Sequence, residues 1–434
     1  MVSGWWGKGA PSTIKSVYPF SENASIIWAI AALATCGVIL RPWRIPEYVW
    51  AMGGALLLAG LGLITPQRAL AAVAEGGDVY LFLIGMMVLA ELARQEGLFD
   101  WLARYAVQHA KGSGQRLFDL VFLVGTLVTV FLSNDATAVV LTPAVYAACK
   151  AARAEPLPYL FICAFIANAA SFVLPISNPA NLVVFGSQMP PLLDWLRQFS
   201  LPSLAAIVLT YLVLRLTQRR QIRQPLALSV ESQPLSAGAR LCALGIAFTA
   251  ALLLGASALD RALGLPTFCA GVATTVLIHL RQRRSPMPVL RHVAWGVLPL
   301  VAGLFVLVEA VAQTGLIARL AQGLASLAAE SPTQASWLGG VGVAIASNLM
   351  NNLPTGLIAG SMGSLVALPQ QTTAALLIGV DLGPNLSITG SLATLLWLVA
   401  IRREGEHVSA WRFLCLGMLV MPPALAAALL ALSI

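Results

Sequence analysis

Charge is what this chain of 434 residues has least of. Asp, Glu, Lys and Arg make up only 10% of it, against 58% hydrophobic residues. An ordinary soluble domain, about a quarter charged, is excluded. Histidine is scarce too: His109, His279, His292 and His407 fall in loops or at the ends of apolar stretches, so no histidine relay crosses them. The 6 cysteines are scattered without a CxxC, which excludes a zinc site or a disulfide framework and leaves them as small buried hydrophobes. There is no GxxxxGK[ST] phosphate loop for ATP hydrolysis. No acid–base–nucleophile grouping or metal-ligand spacing supports an integral-membrane enzyme, and no cofactor or metal is called for. The net charge of +8 has no basic face with interleaved aromatics, which argues against nucleic acid. The first 25 residues lack the compact apolar core and cleavage site of a signal peptide, so 1–23 reads as an extramembrane lead-in.

What is present is apolar sequence in long runs, among them 24–40, 241–259 and 413–431, each of the length that spans a bilayer. These runs repeat. GMMVLAELARQEGLFDWLA at 85–103 matches GLFVLVEAVAQTGLIARLA at 303–321, so that Glu91 falls on Glu309, Gln95 on Gln313 and Gly97-Leu98 on Gly315-Leu316. Ile45-Pro46 falls on Leu265-Pro266, Asn134-Asp135 on Asn351-Asn352, and ISNPANLV at 176–183 on TGSLATLL at 389–396. Such self-similarity divides the chain into two repeats, 24–216 and 241–434. A basic, proline-containing linker, 217–240, joins them and reads as cytoplasmic.

Charge sets the topology. Arg41, Arg44, Lys150, Arg153, Arg219, Arg220, Arg223, Arg281, Arg402 and Arg403 belong to the basic-rich side; the other side has only Lys8, Lys15, Arg68, Arg197, Arg261 and Arg319. The rich side is expected to be cytoplasmic. Crossings are expected at 24–40, 47–64, 78–93, 157–187 and 200–216, then at 241–259, 266–280, 294–312, 373–400 and 410–431. Residues 117–149 and 334–367 each read as two apolar limbs around a polar tip. Limbs of about 14–16 residues barely span as helices, which favours re-entrant hairpins; a twelve-span reading gives the same loop sides. The expected fold is an all-α polytopic membrane protein of ten crossings and two hairpins. Five crossings and one hairpin per repeat make the repeats inverted.

Polar groups at membrane depth are expensive and mark candidate sites. Here they come in two related pairs. The hairpin tips carry Ser133-Asn134-Asp135 and Met350-Asn351-Asn352; two long crossings are interrupted at Ser177-Asn178-Pro179-Ala180-Asn181 and Gly390-Ser391-Leu392-Ala393-Thr394. Pro179 disfavours helical geometry at Asn178, and Gly390 relaxes the backbone. Half-helices that start at depth expose unpaired N–H groups. With Asn134, Asn178, Asn181, Asn351, Asn352, Gly390, Ser391 and Thr394 they form a candidate site for a small polar solute. The bland alternative is that these side chains only join helices. Asp135 is the one acid deep in the first hairpin, and its repeat partner is the neutral Asn352. Desolvation penalises the charged form of an acid, which suits Asp135 to proton coupling. Asp381, in GVDLGPN opposite Asn168 of the first repeat, is the second candidate. Glu91 and Glu309, equivalent acids near span ends, read as structural.

SNDATAVVLTP, LMNNLPTGLI and especially DLGPNLSITGSLATLLW resemble the bacterial arsenite and antimonite efflux permeases, within a superfamily of inverted-repeat ion transporters. The resemblance runs from about 24 to 430, with all four motif blocks in order. It implies a proton-coupled exporter of arsenite and antimonite in the bacterial cytoplasmic (inner) membrane, with both hairpin tips and both broken spans meeting at one site. It leaves room for an accessory cytoplasmic ATPase. Two departures stand out. The tips read Ser-Asn-Asp and Met-Asn-Asn where sodium-coupled dicarboxylate carriers have Ser-Asn-Thr, and an acid there disfavours a dianion. ISNPANLVVFG carries Pro-Ala where close relatives have apolar pairs. A sodium–proton antiporter that shares Asp135 between the two ions is the alternative.

Overall fold

The computed structural model describes residues 23–186, 189–227 and 234–434; the lead-in up to residue 22 and the linker centre at 228–233 lie outside them. Every regular element among the described residues is helical. The first half runs α1 (Ala24–Leu40), α2 (Glu47–Gly60), α3 (Pro66–Glu75), α4 (Gly77–Gln95), α5 (Leu98–His109), α6 (Gly114–Phe131) and α7 (Asn134–Ala136). A π-helical turn at Thr137–Leu141, α8 (Thr142–Ala151), α9 (Leu157–Ala169), α10 (Pro179–Phe185) and α11 (Leu192–Thr217) follow. The second half runs α12 (Ala237–Ala258), α13 (Gly264–Gln282), α14 (Met287–His292), α15 (Val297–Gln313) and α16 (Leu316–Glu330). It ends with α17 (Pro332–Met350), α18 (Asn352–Leu365), α19 (Gln370–Leu382), α20 (Leu392–Arg403) and α21 (Ala410–Leu432).

Local chemistry places the boundaries, and it does so at matching points in the two halves. Ser113 caps α6 by accepting from Arg116 N, and Ser331 caps α17 by accepting from Gln334 N, each at 3.3 Å; a hydroxyl here satisfies one of the unpaired N–H groups of a helix start. Gly97 and Gly315 take left-handed backbone, φ 74° and 82°, a conformation that costs a side-chain-bearing residue strain. At these glycines α4 turns into α5 and α15 into α16. α5 and α16 each have one apolar face, and neither was foreseen as a separate element. The α15–α16 bend is 73°.

Among the described residues, four helices are long and apolar enough to cross a membrane, α6, α11, α12 and α21, or up to six if the bent pairs α3–α4 and α15–α16 each count as one span. Two expectations need correction. The first limbs of the hairpins are longer than 14–16 residues: α6 has 18 and α17 has 19, about 27–29 Å at 1.5 Å per residue. Length therefore does not separate hairpin from crossing, because helix continues through polar ends such as Gly114-Gln115-Arg116. The second correction concerns the interruptions, which begin upstream of the expected motifs. The chain leaves α-helix after Ala169, passes through a 3-10 turn at Pro175–Ser177 and resumes α-helix at Pro179; it leaves α-helix after Leu382 and resumes at Leu392. Asn181 and Thr394 thus sit in the first turn of a new helix, and the break itself comprises the residues before them.

Corresponding elements exchange partners between the halves. α2 packs on α15 and α4 on α13; α10 packs on α18, and α20 on the π-helical turn and α8; α11 and α21 pack on each other. At the centre lie α9, every residue of which is buried, and α19, buried from Ala374 to Leu382. α12 is peripheral, with only 28% of its most apolar window buried, and turns Leu244 and Phe248 outward. An apolar helix exposed in this way has found its solvent in lipid.

Candidate functional site

The four polar interruptions converge. A small cavity at the centre is lined by Asn134 and Asp135 of the first tip, Asn352 and Leu353 of the second, Asn178 and Pro179 at the start of α10, and Ser391, Leu392 and Ala393 at the start of α20. Leu83 of α4 and Val297 of α15 close it. Its volume is ≈ 20 Å³, little more than one water molecule needs. Among the described residues, no Lys, Arg, His or Cys lines it.

Each wall is the beginning of a helix, and each beginning is capped by its own sequence. Ser133 Oγ accepts from Ala136 N at 3.1 Å and Asn134 Oδ1 from Asp135 N at 2.9 Å. Asn178 Oδ1 accepts from Ala180 N at 3.0 Å, Ser391 Oγ from Thr394 N at 3.3 Å, and Asn351 Oδ1 from Leu353 N at 3.3 Å. Helix starts carry partial positive charge, so this space favours the oxygen atoms of a solute. Asp135 contributes the only carboxylate in the lining among the described residues.

Asn351, Asn181, Gly390, Thr394 and Asp381 are not in the lining, and the structure gives each a supporting place. Asn351 holds φ 77°, ψ 154°, a region nearly reserved for glycine. The strained turn is pinned on both sides. Asn352 N donates to Gly390 O at 2.8 Å, and Thr355 Oγ1 to Asn351 O at 2.7 Å. Gly390 must be small, because a Cβ would stand 2.6 Å from Pro384 Cα. Asn181 Nδ2 donates to the carbonyls of Ser171, Leu174 and Pro175 at 3.0, 3.2 and 3.3 Å, and so holds the unwound chain open. Thr394 Oγ1 accepts from Asn168 Nδ2 at 3.3 Å. Asp381 is fully buried, and its Oδ1 accepts from Asn178 Nδ2 at 2.8 Å. It reaches the cavity only through Asn178.

The sequence reading passed over several participants. Leu83, Val297, Leu353, Leu392 and Ala393 give no signal by type, since apolar residues are everywhere in this chain. Asn385 was legible in principle, as a polar residue beside a proline at depth; it accepts from Asn168 Nδ2 at 3.0 Å and donates to Phe165 O at 3.0 Å. Glu91 accepts from Arg94 and Gln95 of its own helix, and Glu309 from Gln313, as expected for structural acids.

A family model described as citrate transporter, CitMHS, matches residues 27–381. The chain belongs to this citrate transporter family. Similar proteins include the arsenical pump membrane protein of Escherichia coli K12, 29% identical over 438 residues, which span 93% of this chain and 97% of that protein. The arsenical pump membrane protein of Yersinia enterocolitica is 30% identical over 365 residues, 81% of this chain and 85% of that protein. The family likeness to arsenite efflux permeases read from the motif blocks therefore extends over most of the chain. Among solved structures, the Alcanivorax borkumensis YdaH transporter superposes with a TM-score of 0.57 over 84% of this chain and 86% of its own, at 17% identity, a likeness of fold. This citrate transporter family member is a multi-pass membrane transporter and not an enzyme.

Proposed function

We propose that the chain exports arsenite and antimonite across the bacterial inner membrane, driven by the proton gradient. In this reading it is built from two inverted repeats, 24–216 and 241–434, with re-entrant hairpins at 117–149 and 334–367. The reciprocal packing of α2 on α15 and α4 on α13 supports the repeat, since an approximate two-fold axis exchanges corresponding elements. One observation carries the substrate assignment: the cavity offers amides, a hydroxyl, helix starts and one carboxylate, but no basic side chain. A citrate-like polyanion needs cations to replace its water, and Asp135 repels it. Arsenite is mostly uncharged at neutral pH and presents hydroxyls, which both donate and accept. The arsenical pump relatives support the same reading.

Coupling falls to Asp135, the acid in the lining. As the cavity alternates between wet and dry surroundings, its carboxyl takes up and releases a proton. A cavity with room for little more than one water must widen to take a three-hydroxyl solute. The deciding experiment expresses the chain in a strain lacking its arsenite and sodium pumps. Arsenite and antimonite resistance without sodium resistance or citrate uptake is expected. Sodium resistance alone would make it a sodium–proton antiporter with Asp135 as the shared ligand.

A further inference from the structure

Four side chains in the cavity wall keep hydrogen-bonding capacity that the fold leaves unspent. Asn134 commits Oδ1 to Asp135 N at 2.9 Å, which fixes the amide's orientation and leaves Nδ2 a donor without an acceptor among the described residues. Ser391 Oγ accepts from Thr394 N at 3.3 Å and keeps its own hydrogen. The Asn352 amide and the Asp135 carboxylate make no side-chain hydrogen bond among the described residues. Asn134, Asn352 and Ser391 are at most 4% exposed, so water outside the protein does not satisfy them, and idle polar groups at that burial are costly. All four side chains line the same space. Together they offer donors from Asn134, Asn352 and Ser391, and acceptors from Asn352 and Asp135.

Donors and acceptors mixed around one small space read hydroxyls, which both donate and accept. They do not read the atom that carries the hydroxyls. Arsenic itself would be read by sulfur, the ligand of soft centres, and the thiols are elsewhere: Cys149, Cys163 and Cys242 are buried outside the lining, and Cys36, Cys269 and Cys415 are exposed. Charge is read too, because Asp135 disfavours an anion. We propose that the cavity recognises small uncharged trihydroxy acids as a class, and that boric acid binds it in competition with arsenite. Boric acid is neutral at cytoplasmic pH and carries three hydroxyls on one atom. It is the smaller solute, since a boron–oxygen bond is shorter than an arsenic–oxygen bond. A space of ≈ 20 Å³ must widen less to admit it. The inference rests on the export reading for the use of this cavity, and goes beyond it in saying what the cavity recognises.

Two measurements on the full chain test this, in buffers free of sugars and glycerol, whose diols esterify boric acid. In inverted vesicles, boric acid should inhibit pH-gradient-driven arsenite uptake competitively, raising KM and leaving the maximal rate unchanged. In detergent without arsenite, boric acid should raise the melting temperature saturably, as a ligand of the folded state does by mass action. Asn352→Leu keeps the side chain's bulk and removes its amide. It should lose the boric acid stabilisation and raise the KM for arsenite about tenfold, the effect of one lost buried hydrogen bond. Arsenite uptake that boric acid leaves untouched, with an unmoved melting temperature, would overturn hydroxyl recognition and spare the arsenite reading. Non-competitive inhibition, or a boric acid stabilisation that survives in Asn352→Leu, would place binding outside the cavity and overturn the proposal too. If the chain moves no arsenite but boric acid stabilises it through Asn352, the arsenite reading fails and the class stands. If Asn352→Leu does not fold, competition in the native chain decides.

Discussion

Asn351, between α17 and α18, and Asp135, between α6 and the π-helical turn, occupy matching breaks and have different duties. The unusual backbone of Asn351 stores about 1–3 kcal/mol, offset by its own cap to Leu353 N and by Gly390 O on Asn352 N. Asn351→Gly relieves the strain while losing the side chain; Asn351→Ala keeps the strain and loses the same groups. The glycine variant should melt above the alanine variant, and neither should export arsenite. A glycine variant that melts below the alanine one would show that the turn is unstrained. Asp135 is the carrier if protons drive export. Asp135→Asn keeps hydrogen-bonding capacity, so inverted vesicles should still equilibrate arsenite downhill while a pH gradient no longer drives uphill uptake. Asp381→Asn, one residue removed from the cavity, should keep a proton-driven component. The opposite pair of results would move the proton to Asp381. The sequence pointed to these residues because amides and acids stand out in an apolar chain. It could not distinguish lining from support: Asn178 lines the cavity, while Asn181, three residues on, spends its amide on three carbonyls.

At the scale of elements, the long apolar helices were legible from apolar length, but the caps at Ser113 and Ser331 and the turns at Gly97 and Gly315 were not read as helix ends. Neither was the true extent of the breaks. Ser171–Leu174 leaves helix ahead of Pro175, which disfavours α-helical backbone at Leu174, and Asn181, further along the chain, takes up the freed carbonyls of Ser171 and Leu174. Helix crossings left a clearer trace. Gly85 and Gly303 are repeat-equivalent, and each lies where α4 meets α13 or α15 meets α2. A Cβ on Gly303 would stand 2.7 Å from the Ala51 carbonyl carbon, and one on Gly85 would press on the Thr267 carbonyl. Gly85→Val and Gly303→Val should therefore each destabilise by about 1–3 kcal/mol through overpacking, read as comparable falls in melting temperature. Gly53→Ala is the control, since nothing lies within 4 Å of its added Cβ; it should hold or slightly raise the melting temperature. Unchanged melting in both valine variants would mean that these helices cross less closely.

At the scale of the whole molecule, the distribution of charge and the reciprocal packing of the halves make one joint claim about sidedness. The exposed Arg219, Arg220 and Arg223 follow α11, and the turn at Ser331 lies between α16 and α17. Three proposed crossings separate the two places: α12, α13 and the bent pair that begins at Val297. An odd number puts them on opposite sides, with the arginines cytoplasmic. Cys36, Cys269 and Cys415 are exposed on α1, α13 and α21, and replacing them by serine or alanine before labelling leaves the introduced cysteine as the source of any signal. In that background, Arg220→Cys should react with a membrane-impermeant maleimide only in inverted vesicles, and Glu330→Cys only in intact, right-side-out ones. The same sidedness holds whether 117–149 and 334–367 are hairpins or pairs of spans, because each pair returns to its starting side. The experiment therefore isolates inversion from hairpin count. Both cysteines reacting from one side would leave an even number of crossings between them. The halves would then be parallel, and the exchange of α2 with α15 and α4 with α13 would need an axis along the membrane normal instead of one in its plane.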